Sequence, residues 1–335
     1  MSEAEIQLEV HRGPFNESQH RGHAVIWDAG GDIVAAWGDP EKVILPRSSS
    51  KMLQALPLVE SGAADHFGLT EAQLAFACAS HQGAHVHTDM VDAWLADLGL
   101  TETDLRCGPQ EPNDIEARND LICGHHHPDQ RHNNCSGKHC GFLTLNKHLG
   151  GGSEYIEVDH AVQKAAKAAF EELTEETSPG YGIDGCSAPN FASTVSGLAR
   201  AMASYAAASE TGSAREKAMH RLTHAMAAHP VLVAGEGRAC TNLMRAMEGR
   251  VTVKTGAEAV FVAIIPEKKL GIALKIEDGT TRAAEATITQ LLIGAGVLEA
   301  SHPVAKSLTQ GPITNRRAVV TGEYVTAQSL RDWSL

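Results

Sequence analysis

The chain has 335 residues, of which 43% are hydrophobic and 21% charged. That is enough apolar chain to bury a sizeable core, which excludes disordered and fibrous classes. Acidic residues number 41 against 28 basic ones, so the net charge is −13 with histidine neutral. No dense block of lysine or arginine offers a path for phosphates, and nucleic-acid binding is therefore disfavoured.

The amino terminus and the cysteines favour a soluble cytoplasmic protein. Residues 1–10 are acidic and alternate apolar with polar side chains, unlike a signal peptide. No run reaches the roughly 18 to 20 apolar residues that span a bilayer, so no membrane partner is expected. The seven cysteines form no pattern typical of a small disulfide-bonded domain.

Two predicted hairpins lie far apart in the chain. Residues 6–10 alternate apolar with polar side chains, and 24–27 and 32–37 flank a turn that contains glycine. Near the other end, 259–266 and 270–276 are apolar, β-branched-rich segments joined by a short polar turn. We expect the two hairpins to share one sheet.

The chain between the hairpins reads as mostly helical. Thr70 and Ser213 precede two of the predicted helices and are typical N-cap residues. The predicted helices lie near 49–61, 71–79, 87–98, 154–172, 194–209, 214–228, 238–248 and 281–298.

No alternation of strands and helices suggests a parallel sheet. The predicted fold class is therefore α+β, with an antiparallel sheet from the N- and C-terminal strands and a helical insertion. We expect a single interlocked unit over 1–335. Its sheet part covers about 1–47 and 250–335, and its helical part about 48–249.

The first candidate for chemistry is the pair Ser48 and Lys51, three residues apart at the start of a predicted helix. At that spacing the two side chains share a helix face. A serine hydroxyl needs a base to become a nucleophile, and a desolvated lysine can serve as that base. The alternative is that Ser48 only caps the helix and Lys51 is solvated.

A second lysine, Lys254, precedes an apolar strand in the sequence Lys-Thr-Gly. Ser-x-x-Lys followed much later by Lys-Thr-Gly is the order of the penicillin-recognising serine enzymes. The Ser-Asp-Asn element of those enzymes is absent, and Ser80, just past a predicted helix end, stands in its place. The alternative is that Ser80 is an ordinary turn serine.

The third candidate is a group of cysteines. Cys135 opens a helical run, where a helix N-terminus lowers a thiol pKa, and Cys186 lies in a glycine-rich turn. Two thiolates and a nitrogen ligand are sufficient for a partial zinc site with an open position. The alternative is that these cysteines are small buried hydrophobic residues. The histidine tract at 125–127 is interpreted as a solvated loop.

Five segments of the chain closely resemble the Rhizobium etli-type, or class 3, L-asparaginases of the asparaginase II family. They occur in the family order, and the resemblance extends from about residue 6 to 298. The segments are 47–65, 77–83, 134–143, 183–191 and 253–261. This resemblance rests on the segments themselves and not on periodicity or composition.

The resemblance implies a fold similar to serine β-lactamases and penicillin-binding proteins. It also implies hydrolysis of L-asparagine to L-aspartate and ammonia through an acyl-enzyme and two serine–lysine tandems. One tandem would be Ser48 with Lys51 and the other Ser80 with Lys254. Glutaminase side activity is expected, because one methylene changes discrimination by only about 1 to 3 kcal/mol.

The family's zinc site would map to Cys135, Lys138 and Cys186, and the family suggests a homodimer. A lysine is an unusual ligand because its amine must lose its proton to coordinate. The substrate also carries an α-carboxylate and an α-ammonium group. Arg47, next to Ser48, and Asp184, near Cys186, are the candidate partners for these charges.

Two other interpretations keep the same fold. One is a serine hydrolase directed at β-lactams or peptides. The other is a non-catalytic, zinc-stabilised protein that binds small amino acids and turns none over.

Overall fold

The computed structural model describes residues 3–335. Its strands are β1 (Glu5–Arg12), β2 (Phe15–Asp28), β3 (Ile33–Trp37), β4 (Val43–Ile44), β5 (Tyr181–Ile183), β6 (Pro189–Phe191), β7 (Ser193–Thr194), β8 (Thr252–Thr255), β9 (Val260–Ile265), β10 (Leu270–Ile276), β11 (Pro312–Thr314) and β12 (Val320–Thr326). Its α-helices are α1 (Lys51–Glu60), α2 (Ala63–His66), α3 (Glu71–Ala77), α4 (His85–Asp97), α5 (Ile115–Cys123), α6 (Ser136–Leu149), α7 (Ala161–Thr174), α8 (Val195–Ala207), α9 (Ala214–Ala228), α10 (Pro230–Val233), α11 (Ala239–Ala246), α12 (Thr281–Gly294), α13 (Pro303–Thr309) and α14 (Gln328–Arg331).

The main sheet joins the two ends of the chain. Its strand order is β11-β12-β1-β2-β10-β9-β8, and β3 pairs with β2. All these pairings are antiparallel, with Ile26 of β2 opposite Ile272 of β10 and Ile272 opposite Ala263 of β9. The predicted α+β class with an antiparallel sheet from N- and C-terminal strands is confirmed, and so is the sharing of one sheet by both hairpins.

Two compact units divide the chain. The sheet unit comprises Met1–Ser49, Ser193–Ala207 and Asn242–Leu335, and the helical unit comprises Ser50–Ala192 and Ala208–Thr241.

Helices cover the central strands of the sheet unit. All residues of β9 and all but one of β10 are buried, which requires cover on both faces of these strands. A Cβ on Gly271 would lie within 2.3 Å of the backbone of α8, so that helix packs directly on the glycine. Helix α12 contacts β1, β9 and β10. The core of this unit therefore lies around β10.

The helical unit is built around α1. Nine of its ten residues are buried, and it contacts α3, α6, α7 and α9. A helix buried nearly all round is typical of the centre of a helical unit. Lys51, its first residue, is therefore inside the protein and 1% exposed.

Several helices begin where their N-cap residues predict. Thr70 and Ser213 both form capping boxes, with Gln73 and Glu216 respectively, as their N-cap positions predict. Helix α7 begins at Ala161 rather than near residue 154, because the side chain of His160 accepts the N–H of Val162 and caps the helix there. Within residues 3–335, no helix is both long and apolar enough to cross a membrane.

Candidate functional site

The segment before α1 carries the first candidate nucleophile. Arg47–Ser50 form one turn of 3-10 helix, and Arg47 adopts a positive φ of 53°. The hydroxyl of Ser49 donates to the carbonyl of Pro46 at 2.7 Å, which fixes the turn. Ser50 occupies the N-cap position of α1, and Ser48, two residues earlier, is half-buried. The hydroxyl of Ser48 is thus not the N-cap of α1.

The end of β8 lies against this same turn within the sheet unit. A Cβ on Gly256 would lie 2.6 Å from the carbonyl oxygen of Pro46 and 3.1 Å from the amide nitrogen of Ser49. Only a residue without a side chain permits so close an approach. Lys254, two residues earlier, is buried, and its Nζ donates to the carbonyl of Thr255 at 2.8 Å. The Lys-Thr-Gly segment and the Ser48 turn are neighbours.

Lys51 is held by backbone carbonyls of the helical unit. Its Nζ donates to the carbonyl of Ala79 and, at 3.4 Å, to the carbonyl of Asn134. Both acceptors are uncharged, so no carboxylate bonded to Nζ is needed to hold the amine in place. Because it is buried and bound in this way, Lys51 is not solvated, contrary to the alternative considered for the Ser48–Lys51 pair.

Ser80 follows α3 in a buried turn. Its amide donates to the carbonyl of Val233 at 2.8 Å, and the residue is 7% exposed. It immediately follows Ala79, whose carbonyl binds Lys51. The helical unit therefore places Lys51 beside the segment that carries Ser80.

Cys135, Lys138 and Cys186 form one buried cluster in the helical unit. Lys138 donates from Nζ to the Sγ of Cys186 at 3.0 Å, and all three residues are at most 3% exposed. Cys135 is the N-cap residue of α6, which places Lys138 one turn into the helix. The turn at 183–188 supplies Cys186, 51 residues later in the chain.

The cluster favours one thiolate. A hydrogen bond from Cys135 holds the pKa of Cys186 well below its usual range, and the charge of Lys138 lowers this pKa further. Burial opposes both effects. The same bond and burial raise the pKa of Cys135 to about 12. Burial disfavours the charged form of Lys138, but the two thiols outweigh it and keep its pKa high. A thiolate at Cys186 therefore accepts hydrogen bonds from a thiol and an ammonium group.

The two candidate substrate-binding residues lie in different units. Asp184 is half-buried in the turn that carries Cys186, where its carbonyl accepts the N–H of Ser187 at 2.9 Å and its carboxylate accepts the N–H of Gly185. Its charge acts on Lys138. Arg47 is half-buried beside Ser48 in the sheet unit. Each of them therefore lies next to a residue of the predicted site.

A buried histidine, which the sequence places in the same segment as Cys135 and Lys138, adjoins the cysteine cluster. His139 follows Lys138, its Nδ1 is 2.9 Å from the hydroxyl of Tyr155, and its buried Nε2 has no hydrogen-bond partner. Burial, and then the charge of Lys138, lowers the pKa of His139. Its position in the segment Gly-Lys-His-Cys was the only signal that the sequence offered.

The donor set at the cluster suits zinc. Within residues 3–335, no group of three or more histidine, cysteine or carboxylate side chains is arranged to hold a metal ion. Cys135, Cys186 and Lys138 reach three donors by including an amine. Sulfur and nitrogen are zinc's usual protein ligands, and three of them leave a fourth position open. Lys138 would have to lose its proton to coordinate zinc, because an ammonium group has no free lone pair.

Comparison with known proteins gives one match at the family level. The family described as L-asparaginase II matches residues 8–326. Among curated proteins, none matches the chain.

Solved structures resemble the chain at low identity. A protein named Mglu is 12% identical with a TM-score of 0.42, over 82% of this chain and 63% of that one. The chain thus spans less than two thirds of the length of Mglu. A β-lactamase from Mycobacterium bovis is 13% identical with a TM-score of 0.43, over 79% of this chain and 89% of that one. An octameric penicillin-binding protein homologue from Pyrococcus abyssi is 12% identical with a TM-score of 0.34, over 81% and 73%.

The family match covers nearly all of the chain, including every residue predicted to take part in the chemistry. The chain therefore belongs to the L-asparaginase II family, which confirms the predicted family.

Proposed function

We propose that the chain hydrolyses the side-chain amide of L-asparagine with Ser48 as nucleophile and Lys51 as its base. The observation that carries this proposal is the buried amine of Lys51, which lies three residues after Ser48 in the chain. The backbone carbonyls of Ala79 and Asn134 bind this amine. These two hydrogen bonds hold the amine inside the protein, next along the chain to the turn that carries Ser48.

The reaction proceeds in two halves. Lys51 removes the proton of the Ser48 hydroxyl as Oγ attacks the amide carbon, and backbone N–H groups at the start of α1 stabilise the oxyanion. The C–N bond breaks, and the nitrogen takes from Lys51 the proton that Ser48 gave up and leaves as ammonia. Water then attacks the ester carbon: its hydroxyl group joins the acyl group to give L-aspartate, and its other proton passes through Lys51 to the Oγ of Ser48.

Ser80 and Lys254 form the second tandem in this proposal. The family resemblance supports a role for both in proton transfer, and the buried position of each supports a role inside the protein rather than on its surface. Arg47 would bind the substrate α-carboxylate and Asp184 the α-ammonium group. These assignments match each substrate charge with the opposite charge.

Trapping the acyl-enzyme tests the nucleophile. Acid quenching during turnover of L-asparagine should leave an aspartyl adduct on the peptide that contains Ser48, as measured by mass spectrometry. Ser48→Ala should lose both the adduct and turnover, whereas Ser49→Ala, one residue away, should keep the adduct. An adduct that persists in Ser48→Ala would contradict the assignment. A stable adduct formed with penicillin, and none with asparagine, would support the β-lactam-directed alternative.

We also propose that Cys135, Lys138 and Cys186 hold one zinc ion. When bound, zinc would supply a positive charge and an open coordination position. Cys135→Ser should lower the zinc content per chain and raise KM more than it lowers kcat if the ion helps to bind substrate. Cys123→Ser, which changes an exposed cysteine, is the control and should alter neither quantity. Full zinc content in Cys135→Ser would contradict the proposed ligand set.

A homodimer in the cytoplasm completes the proposal, on the basis of the family resemblance and the composition. Sedimentation over a range of concentrations tests the oligomeric state. A monomer at all concentrations would contradict it.

A further inference from the structure

His81 lies directly after Ser80 and is buried in a stack of three rings. Its ring centroid is 5.0 Å from that of Phe76 and 4.7 Å from that of His87, at interplanar angles of 27° and 18°. The residue is 1% exposed. The rings of Phe76 and His87 also stack on each other, with centroids 6.1 Å apart, and their contacts with His81 help to fix the plane of its ring.

The hydrogen bonds of His81 define its tautomer. The amide of Gly83 donates to Nδ1 at 3.1 Å, and because an amide N–H can only donate, Nδ1 carries no proton. Nε2 must then carry the proton, and it lies 2.9 Å from the hydroxyl of Ser136. That hydroxyl donates in turn to the carbonyl of Arg131 at 3.0 Å, so it accepts from His81.

The same residue also binds through its backbone. The amide of His81 donates to the carbonyl of Asn134 at 3.2 Å. Side chain and backbone thus tie the segment 79–81 to the segment 134–136 by two separate hydrogen bonds. The first segment carries Ser80, and the second leads into α6 through Cys135.

These two segments supply both carbonyls that hold Lys51. One acceptor of its Nζ is Ala79, two residues before His81, and the other is Asn134, which also accepts the amide of His81. A relative shift of the two segments changes the separation of the carbonyls. The position of the Lys51 amine therefore depends on the link that His81 makes.

We propose that His81 is a positioning residue of the amidohydrolase, a neutral imidazole with its proton on Nε2 that locks the segments 79–81 and 134–136 together around the Lys51 amine. The inference rests on the proposed function, because it gives Lys51 the role of base. His81 itself need not touch the substrate.

The substitution His81→Phe tests this role while keeping the stacked ring. It should lower kcat by about 100-fold, the loss that a displacement of about 1 Å can cause at a reacting group, with KM nearly unchanged. It should also move the acid limb of the pH profile of kcat/KM, which reports the base of the free enzyme. A loss of folded protein alone would lower the rate without moving the limb, and that result would overturn the proposal.

Ser136→Ala and the double variant refine the test. Each single substitution removes the same link, so the two losses of kcat should not multiply in the double variant. The matched control is His87→Phe, which alters the next ring of the stack; its nitrogens bind the amide of Ala84 and the carbonyl of Val231. It should keep the wild-type pH profile. Losses that multiply, or an equal shift in His87→Phe, would contradict the proposal.

Two further measurements keep the outcome decisive. If His81→Phe does not fold, nitrogen NMR of the wild-type chain still reads the tautomer, and a proton on Nδ1 of His81 between about pH 5 and 8 would overturn the proposal. Failure of the proposed function looks different, because wild-type turnover would then survive in Ser48→Ala. Wild-type rates in His81→Phe beside an inactive Ser48→Ala would refute the role of His81 alone.

Discussion

Lys51 illustrates at the residue scale how a charged side chain becomes usable chemistry. A lysine side chain that is buried in a protein gives up its hydrogen bonds to water. Carbonyls from Ala79 and Asn134 restore two hydrogen bonds without adding a charge. The residue can therefore stay buried, three residues after Ser48 in the chain.

Lys51→Met removes the amine and keeps the apolar stem. We expect turnover to fall by about 10²- to 10⁴-fold, which is the contribution of a positioned general base. Stability should fall by about 1–3 kcal/mol, because the carbonyls of Ala79 and Asn134 lose a partner. Steady-state kinetics and thermal unfolding measure the two effects. Lys147→Met, at an exposed lysine, is the control, and equal activity in both variants would refute the role of Lys51.

The sequence predicts some residues of the site better than others. Ser48 and Lys51 are visible because their spacing is local. The hydrogen-bond partners of Lys51 could not be predicted, because every residue has a backbone carbonyl and the sequence does not show which of them will lie near Nζ. Cys135 and Cys186 could be paired from the sequence only as candidate thiolates of a zinc site, because a contact across 51 residues depends on the fold. The assignments of catalytic, substrate-binding and zinc residues remain predictions.

At the scale of the elements, a glycine determines how closely α6 approaches α3. A Cβ on Gly137 would lie 2.3 Å from the carbonyl oxygen of Phe76 and 2.8 Å from its ring. Ala79, three residues after Phe76, and Cys135, two residues before Gly137, both belong to the segments around Lys51. The close packing of these two helices therefore sets the distance between the segments around Lys51.

Gly137→Ala should force this contact apart. We expect a loss of about 1–3 kcal/mol in the free energy of unfolding, the usual cost of overpacking, together with lower kcat. Gly152→Ala is a matched control, since a Cβ there meets nothing within 4 Å. Chemical denaturation and kinetics of both variants check this. Unchanged stability in Gly137→Ala would show that the helices adapt without cost.

Helices with local signals were predicted most closely. Helix α9 occupies 214–228 as expected, because Ser213 and Glu216 form its capping box. Helix α5 was not predicted, since Ala117 is its only buried residue and it lacks an apolar stripe. Strand β12 lies outside both predicted hairpins and is held in the sheet by its pairing with β1.

At the scale of the whole molecule, burial of neutral histidines makes stability depend on pH. Burial holds the pKa of His87 below the ordinary 6.5, although its bond to Val231 opposes this. The unfolded chain therefore binds the proton first as the pH falls. Stability is lost below about pH 6.5 and not above it.

Denaturation at several pH values tests this sign. The free energy of unfolding should decrease from pH 7 toward about pH 5, and His87→Phe should reduce that slope while keeping the stacked ring. His85, whose pKa Asp120 raises, acts in the opposite direction but is exposed. A slope that is unchanged in His87→Phe would show that other groups dominate.

The interleaving of the chain explains how much of the overall fold could be predicted. Strands β1 and β10 are far apart in sequence, yet both flank β2. Apolar patterning identifies such strands, and the absence of βαβ alternation indicates antiparallel pairing. The placement of α8 in the sheet unit has no local signal, since it depends on the close approach at Gly271.

Ammonia release from L-asparagine is the most direct test of the central claim. It should be measured on purified, folded protein of known zinc content, with L-glutamine in parallel and Ser48→Ala as control. We predict release that favours asparagine and disappears in Ser48→Ala. No release from folded, zinc-loaded wild-type protein, or equal release from Ser48→Ala, would contradict the account.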